Sequence, residues 1–200
     1  MSDEKTPTDW PPKQAAPTLA ERIVAEALSM LDEREDAGNG KANDGEIVRK
    51  LCAPLIGDPA EFERLYDAGA LEWCVAFALW CLARAGSTVV KFDEKGQIRG
   101  PLRTLSCTTL FKQAGALFLA ASGDVTTFGP SRADEAQPGD LLLTDSDRNG
   151  KPGHVVIVES VFGDEIETIG GNSGPKADRV FRKTYKASDP RLFGFIRVLA

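Results

Sequence analysis

EWCVAFALWC, residues 72–81, sets Cys74 directly after a carboxylate and an indole and then runs apolar to Cys81. An apolar run of this length followed by LARAG reads as a buried helix that begins around Trp73–Cys74 and stops at Gly86. Cys74 therefore sits at or beside a helix N-terminus. Unpaired N–H groups there favour negative charge and lower the pKa of a thiol. Cys81, seven residues on, falls near the same helix face and reads as core packing. Taken alone Cys74 has that reading too, so its role depends on the rest of the chain.

Upstream the pattern is helical. Thr18 and Glu21 form a Thr-x-x-Glu capping signal, and Leu19, Ile23, Ala27, Leu28 and Leu31 recur at helical spacing, which predicts a helix to about Glu35. The stretch DAGNGKANDG reads as loop. A short helix is expected over Glu46–Cys52 with Ile47, Val48 and Leu51 facing inward. Asp58-Pro59-Ala60-Glu61 is a helix start, with a capping Asp, Pro at the first helical position and Glu at the third, and that helix stops near Gly69. Residues 104–116 read as helix.

After Gly123 the pattern changes. DLLLT (140–144), HVVIVESV (154–161), EIETI (165–169), RVFRKTY (179–185) and LFGFIRV (192–198) are β-branched and aromatic, and turn residues divide them. Their close spacing predicts antiparallel pairing. Helices first and strands afterwards make an α+β domain, with N-terminal helices packed on a C-terminal antiparallel sheet of about five strands. Residues 1–17, polar with four prolines, read as a flexible leader, and residues 18–200 as one domain.

The strands supply what a thiol needs. His154, the chain's one histidine, opens an apolar strand after the turn KPG. Asn172 follows the next strand in TIGGNSG. If those strands form a hairpin, an amide there can bond the second imidazole nitrogen and fix its tautomer. The bland readings are an edge histidine and a turn asparagine.

Composition narrows the partners. The 200 residues carry a net charge of −6. That argues against nucleic acid or an anionic membrane as the main partner, since both need a basic footprint. No apolar stretch reaches the ~20 residues of a membrane helix. MSDEKTPTDWPPKQAAP has no apolar core, so no secretory signal is expected and synthesis is placed in the cytoplasm. The four cysteines, Cys52, Cys74, Cys81 and Cys107, contain no CxxC pair, so neither a zinc site nor another cofactor is expected, and buried free thiols are. DSDRNG (145–150) resembles half of a calcium loop with Asp145, Asp147 and Asn149 as ligands. Its twelfth position is Val156 rather than a bidentate Glu, so a polar turn is expected. Arg179, Arg182, Lys183 and Lys186 read as a solvated strand face. Glu72 receives no role.

Three motifs together resemble one family. EWCVAFALWCLARAG is similar to the "WCaaFvsw.l..aG" helix of the CHAP and NlpC-type papain-like cysteine amidohydrolases. QPGDLLLTDSDRNGKPGHVVIVES is similar to their "pGDlv…GHvgiv" motif. TIGGNSG followed by RVFRKTY and LFGFIRV is similar to the family ending in which "GGN" precedes a final sheet. The resemblance covers roughly residues 40–198. It implies a papain-like fold and cleavage of amide bonds in peptidoglycan, with Cys74 as nucleophile, His154 as base and Asn172 as the polar third member. Many CHAP members carry Glu two residues before that Asn, and here the position is Gly170. Trp73 is a candidate to shape the substrate groove, with core packing as its other reading.

The resulting expectation is a monomeric peptidoglycan hydrolase acting in the periplasm or on the cell wall after export, injection or lysis. A secretion-system effector, accompanied by an immunity protein or a component of the secretion machine, and a phage-type lysin both fit. The alternatives are a non-catalytic papain-like module that binds wall peptide or a protein, and a thiol acyltransferase or protein-directed cysteine hydrolase.

Overall fold

The computed structural model describes residues 15–35, 41–120 and 123–199. Most of the expected leader lies outside the described residues. Among the described residues, five α-helices and eight strands follow in the order α1 (Leu19–Ser29), α2 (Glu46–Ile56), α3 (Pro59–Asp67), α4 (Cys74–Arg84), β1 (Lys91–Phe92), β2 (Ile98–Arg99), α5 (Cys107–Leu119), β3 (Val125–Phe128), β4 (Leu141–Thr144), β5 (His154–Phe162), β6 (Glu165–Ser173), β7 (Arg179–Lys186) and β8 (Leu192–Val198). A 3-10 helix at Pro130–Glu135 links β3 to β4. The main sheet has six strands, not five, in the order β3-β8-β4-β5-β6-β7, and every pair is antiparallel. The added strand is β3, only four residues long, with too few residues for an alternation to show in sequence.

Local chemistry sets the helix starts. Thr18 Oγ1 accepts the Glu21 N–H at 3.2 Å, and Glu21 Oε2 accepts the Thr18 N–H at 2.7 Å, closing the expected capping box. Asp58 accepts the N–H groups of Ala60 and Glu61 at the head of α3. The end of α1 differs from expectation. It stops at Ser29, and Asp32 turns the chain through the left-handed region (φ 69°). Residues 32–35 then run beside β7: Asp32 N–H donates to Val180 O, Val180 N–H to Glu33 O and Glu35 N–H to Asp178 O. The outer edge of β7 is thereby covered at its start, which an extended α1 could not do. α2 runs past Cys52 to Ile56, with Gly57 in the left-handed conformation as its C-cap.

α4 is the centre of the molecule. Nine of its eleven residues are buried, so it is apolar all round. It packs against α1, α2, β5 and β6. The helix-facing side of the sheet contributes Leu141, Leu143, Val155, Ile157, Ile169 and Val180 to this core. The other face holds a second core, built around Leu142, Val156, Ile166 and Tyr185, in which Phe128 and Phe195 stack at 4.9 Å. Gly171 sets how closely α4 approaches the sheet. A Cβ there would lie 2.6 Å from Trp73 Cζ3 and 2.6 Å from Phe77 Cβ, so only glycine lets β6 touch the first turn of α4. Among the described residues, no helix is long and apolar enough to cross a membrane.

Candidate active site

α4 opens on Cys74 itself. α1, α3 and α5 are capped by the side chains of Thr18, Asp58 and Ser106; α2, behind Gly45, and α4, behind Trp73, have no side-chain cap bond. The first-turn N–H groups of α4 are therefore left for whatever sits at the end of the helix. Here the sequence departs from capping rules at the point where a thiol stands.

His154 is the first residue of β5 and meets this helix end. The Cys74 thiol is held well below its ordinary pKa. The first cause is a hydrogen bond from Cys107, whose sulfur lies 3.9 Å away; burial opposes it; a hydrogen bond and charge from His154 and the Val155 backbone N–H add to the lowering. Cys107 is the first residue of α5, placed there by the Ser106 cap, and its own thiol is pushed strongly upward by the bond to Cys74 and by burial. All four cysteines are free and buried. Burial pushes Cys52 up to about 12 and moves Cys81 in the same direction. Cys74 alone is shifted towards thiolate.

The two residues border a cleft of about 570 Å³, which Glu72, Asn172, Ser173, Lys183 and Tyr185 also line. Asn172 is thus brought to the site, but the side chain on the imidazole is its neighbour: Ser173 Oγ lies 2.9 Å from His154 Nε2. β6 does not end before Asn172 as expected; it continues through Ser173. Between Gly170 and Ser173 its pairing with β7 slips by one residue, and Asn172 takes a left-handed conformation (φ 53°). This β-bulge returns Ser173 to the face that carries Gly170 and His154. With Ser173 on Nε2, Nδ1 is the ring nitrogen left for the thiol.

The other candidates fall elsewhere. Trp73 is fully buried and its Nε1–H donates to Glu35 Oε1 at 2.6 Å; it packs under the site and has no exposed face to offer a substrate. The Asp145 carboxylate accepts the N–H groups of Asn149 and Gly150, as a polar turn requires. No cluster of metal-ligating side chains occurs among the described residues. Arg179 and Arg182 pair with Asp178 and Glu159 away from the cleft, whereas Lys183 reaches its wall. Cys107 and Ser173 were not singled out from the sequence. The first was signalled by the Ser106 cap, and the second by the run Gly-Gly-Asn, residues suited to a bulge.

The CHAP domain profile matches residues 66–172, from the end of α3 to the bulge in β6 and more than half of the chain. No curated protein matches. Two similar solved structures are the crystal structure of Ly7917 with the hydrolyzing product of MDP, at 16% identity, and the crystal structure of Ly7917, at 20% identity. Both have a TM-score of 0.47, and each alignment covers 90% of this chain and 63% of that chain, so this chain spans less than two thirds of their length. With the profile spanning both the cysteine that heads α4 and the histidine that opens β5, the chain belongs to the CHAP domain family.

Proposed function

We propose that the protein hydrolyses an amide bond of bacterial peptidoglycan, with Cys74 as nucleophile and His154 as base. One observation carries the reading. The single thiol shifted towards thiolate lines the same open cleft as the single histidine of the chain, at a helix end with no side-chain cap, and that histidine helps lower it. The Cys74 thiolate attacks the scissile carbonyl, and the first-turn N–H groups of α4, that of Cys74 first, hold the oxyanion. His154 protonates the leaving amine, then takes a proton from the water that cleaves the thioester, which regenerates the thiol. Asn172, which lines the cleft without bonding the ring, offers its amide to the substrate, and Lys183 offers a cation to the carboxylates of a stem peptide. CHAP membership supports peptidoglycan as the substrate class.

Purified walls incubated with wild type and with Cys74→Ala test this by mass spectrometry of soluble products. Fragments with a new amine from the wild type alone are expected. None from either, over walls of several chemotypes, overturns it in favour of a binding module or an acyltransferase. For delivery, the proposal is an effector or a phage-type lysin. A neighbouring gene product that blocks alkylation of Cys74 identifies an immunity protein and the effector; a neighbouring pore-forming protein identifies the lysin.

A further inference from the structure

We infer that Ser173, not Asn172, is the positioning residue for His154, and that a hydroxyl delivered by the bulge in β6 replaces the polar group expected one or three residues earlier. The inference rests on the Cys74–His154 reading and deepens it.

The space around the ring makes the case. A Cβ at Gly170 would lie 2.5 Å from Val156 Cγ1 and 2.8 Å from Ser173 Oγ. The Ser173 hydroxyl thus stands where a side chain at position 170 would begin, and the two exclude each other. An acid at 170 and the present Ser173 conformation are alternative ways to fill one space. The slip in register makes the exchange possible, because a period-two strand would turn residue 173 away from the face of residue 170. Thr144, paired across from His154 on β4, carries the other nearby hydroxyl, but it is buried and makes no hydrogen bond. No hydrogen bond joins Asn172 to the ring among the described residues.

Direction follows from the second contact of Ser173. Its hydroxyl donates to Gly171 O at 3.3 Å, so its oxygen accepts from His154 Nε2–H at 2.9 Å. That bond selects the tautomer with Nδ1 unprotonated, the form that can take a proton from Cys74. A hydroxyl stabilises an imidazolium less than a carboxylate does. The thiolate here is instead supported from its own side, by Cys107 and the Val155 N–H.

The single histidine makes the test direct, since the imidazole ¹⁵N spectrum of the whole protein contains one ring. In a Cys74→Ala background, at a pH where the ring is neutral, Nε2–H should dominate. Ser173→Ala should lower that preference roughly five- to tenfold, as expected for one neutral hydrogen bond. Ser173→Thr should restore it, and Asn172→Ala should leave it unchanged. A ring protonated at Nδ1 before any change at Ser173 overturns the inference, and so does a shift on Asn172→Ala or none on Ser173→Ala. Should Ser173→Ala not fold, the tautomer in the unchanged site and in Ser173→Thr still decides. None of these readouts uses a wall substrate. Failure to hydrolyse peptidoglycan with the expected tautomers would sink the function and leave the positioning role standing.

Discussion

The sulfurs of Cys74 and Cys107 lie 3.9 Å apart, each on the first residue of its helix. The bond between them lowers one thiol and raises the other, the pattern of a Cys107 thiol donating to a Cys74 thiolate. The thiolate of Cys74 therefore persists below the pH at which an ordinary thiol protonates, and is lost as pH falls through its own lowered value. Removing the donor should move that loss upward. Cys107→Ala should shift the acid limb of Cys74 alkylation by iodoacetamide to higher pH, and Cys107→Ser, which keeps a donor, should shift it less. Superimposable profiles for the three proteins would contradict the donor role.

Reactivity should be confined to one cysteine. Cys52 and Cys81 are fully buried, with Cys52 pushed up to about 12, and Cys107 is raised by its neighbour. A thiol electrophile at mildly acidic pH should label the folded protein once, at Cys74, and label all four sites after unfolding. Peptide mapping reads the outcome. Labelling of Cys52 or Cys81 in the folded protein would contradict it.

Gly171 should be intolerant of a single methyl. Its Cβ would fall 2.6 Å from both Trp73 Cζ3 and Phe77 Cβ, atoms of the buried helix start. Overpacking of this kind costs about 1–3 kcal/mol. Gly171→Ala should lose that much in urea unfolding and should also slow Cys74 alkylation, because α4 must back away from β5 and β6. Unchanged stability would show that the contact is loose.

The Asp of the PGD motif should act on the fold and not on the chemistry. Asp140 is almost fully buried, bonds both Nε and Nη2 of Arg197 at 2.8 Å and accepts the Gln137 N–H at 2.8 Å. It thereby ties the start of β4 to β8. Removing one partner of such a pair costs about 3 kcal/mol. Asp140→Ala should lower the unfolding midpoint accordingly, while the pH profile of Cys74 alkylation below that midpoint stays in place.

What could be read from the sequence was what local chemistry decides. The caps at Thr18 and Asp58, the helix opening at Cys74 and the strand opening at His154 each rest on a few adjacent residues, and each falls where its signal placed it. The departures are all decided by another part of the chain. α1 stops at Ser29 because residues 32–35 pair with β7. β3 is recognisable as a strand only beside β8. Trp73 is drawn inward by Glu35 and Gly171. Ser173 reaches the imidazole because of a one-residue slip against β7. The same slip explains why Gly170 can lack a side chain while the ring keeps a partner.

A nucleophilic Cys74 must pass through a covalent bond to the wall substrate, and that acyl-enzyme can be trapped. Wild-type protein mixed with excess muropeptide, quenched in acid within the first turnovers and mapped by mass spectrometry, should carry a hydroxylamine-labile acyl group on Cys74. Cys74→Ala should carry none and release no fragments. Fragments released with no adduct at Cys74, and released equally by Cys74→Ala, would contradict the account.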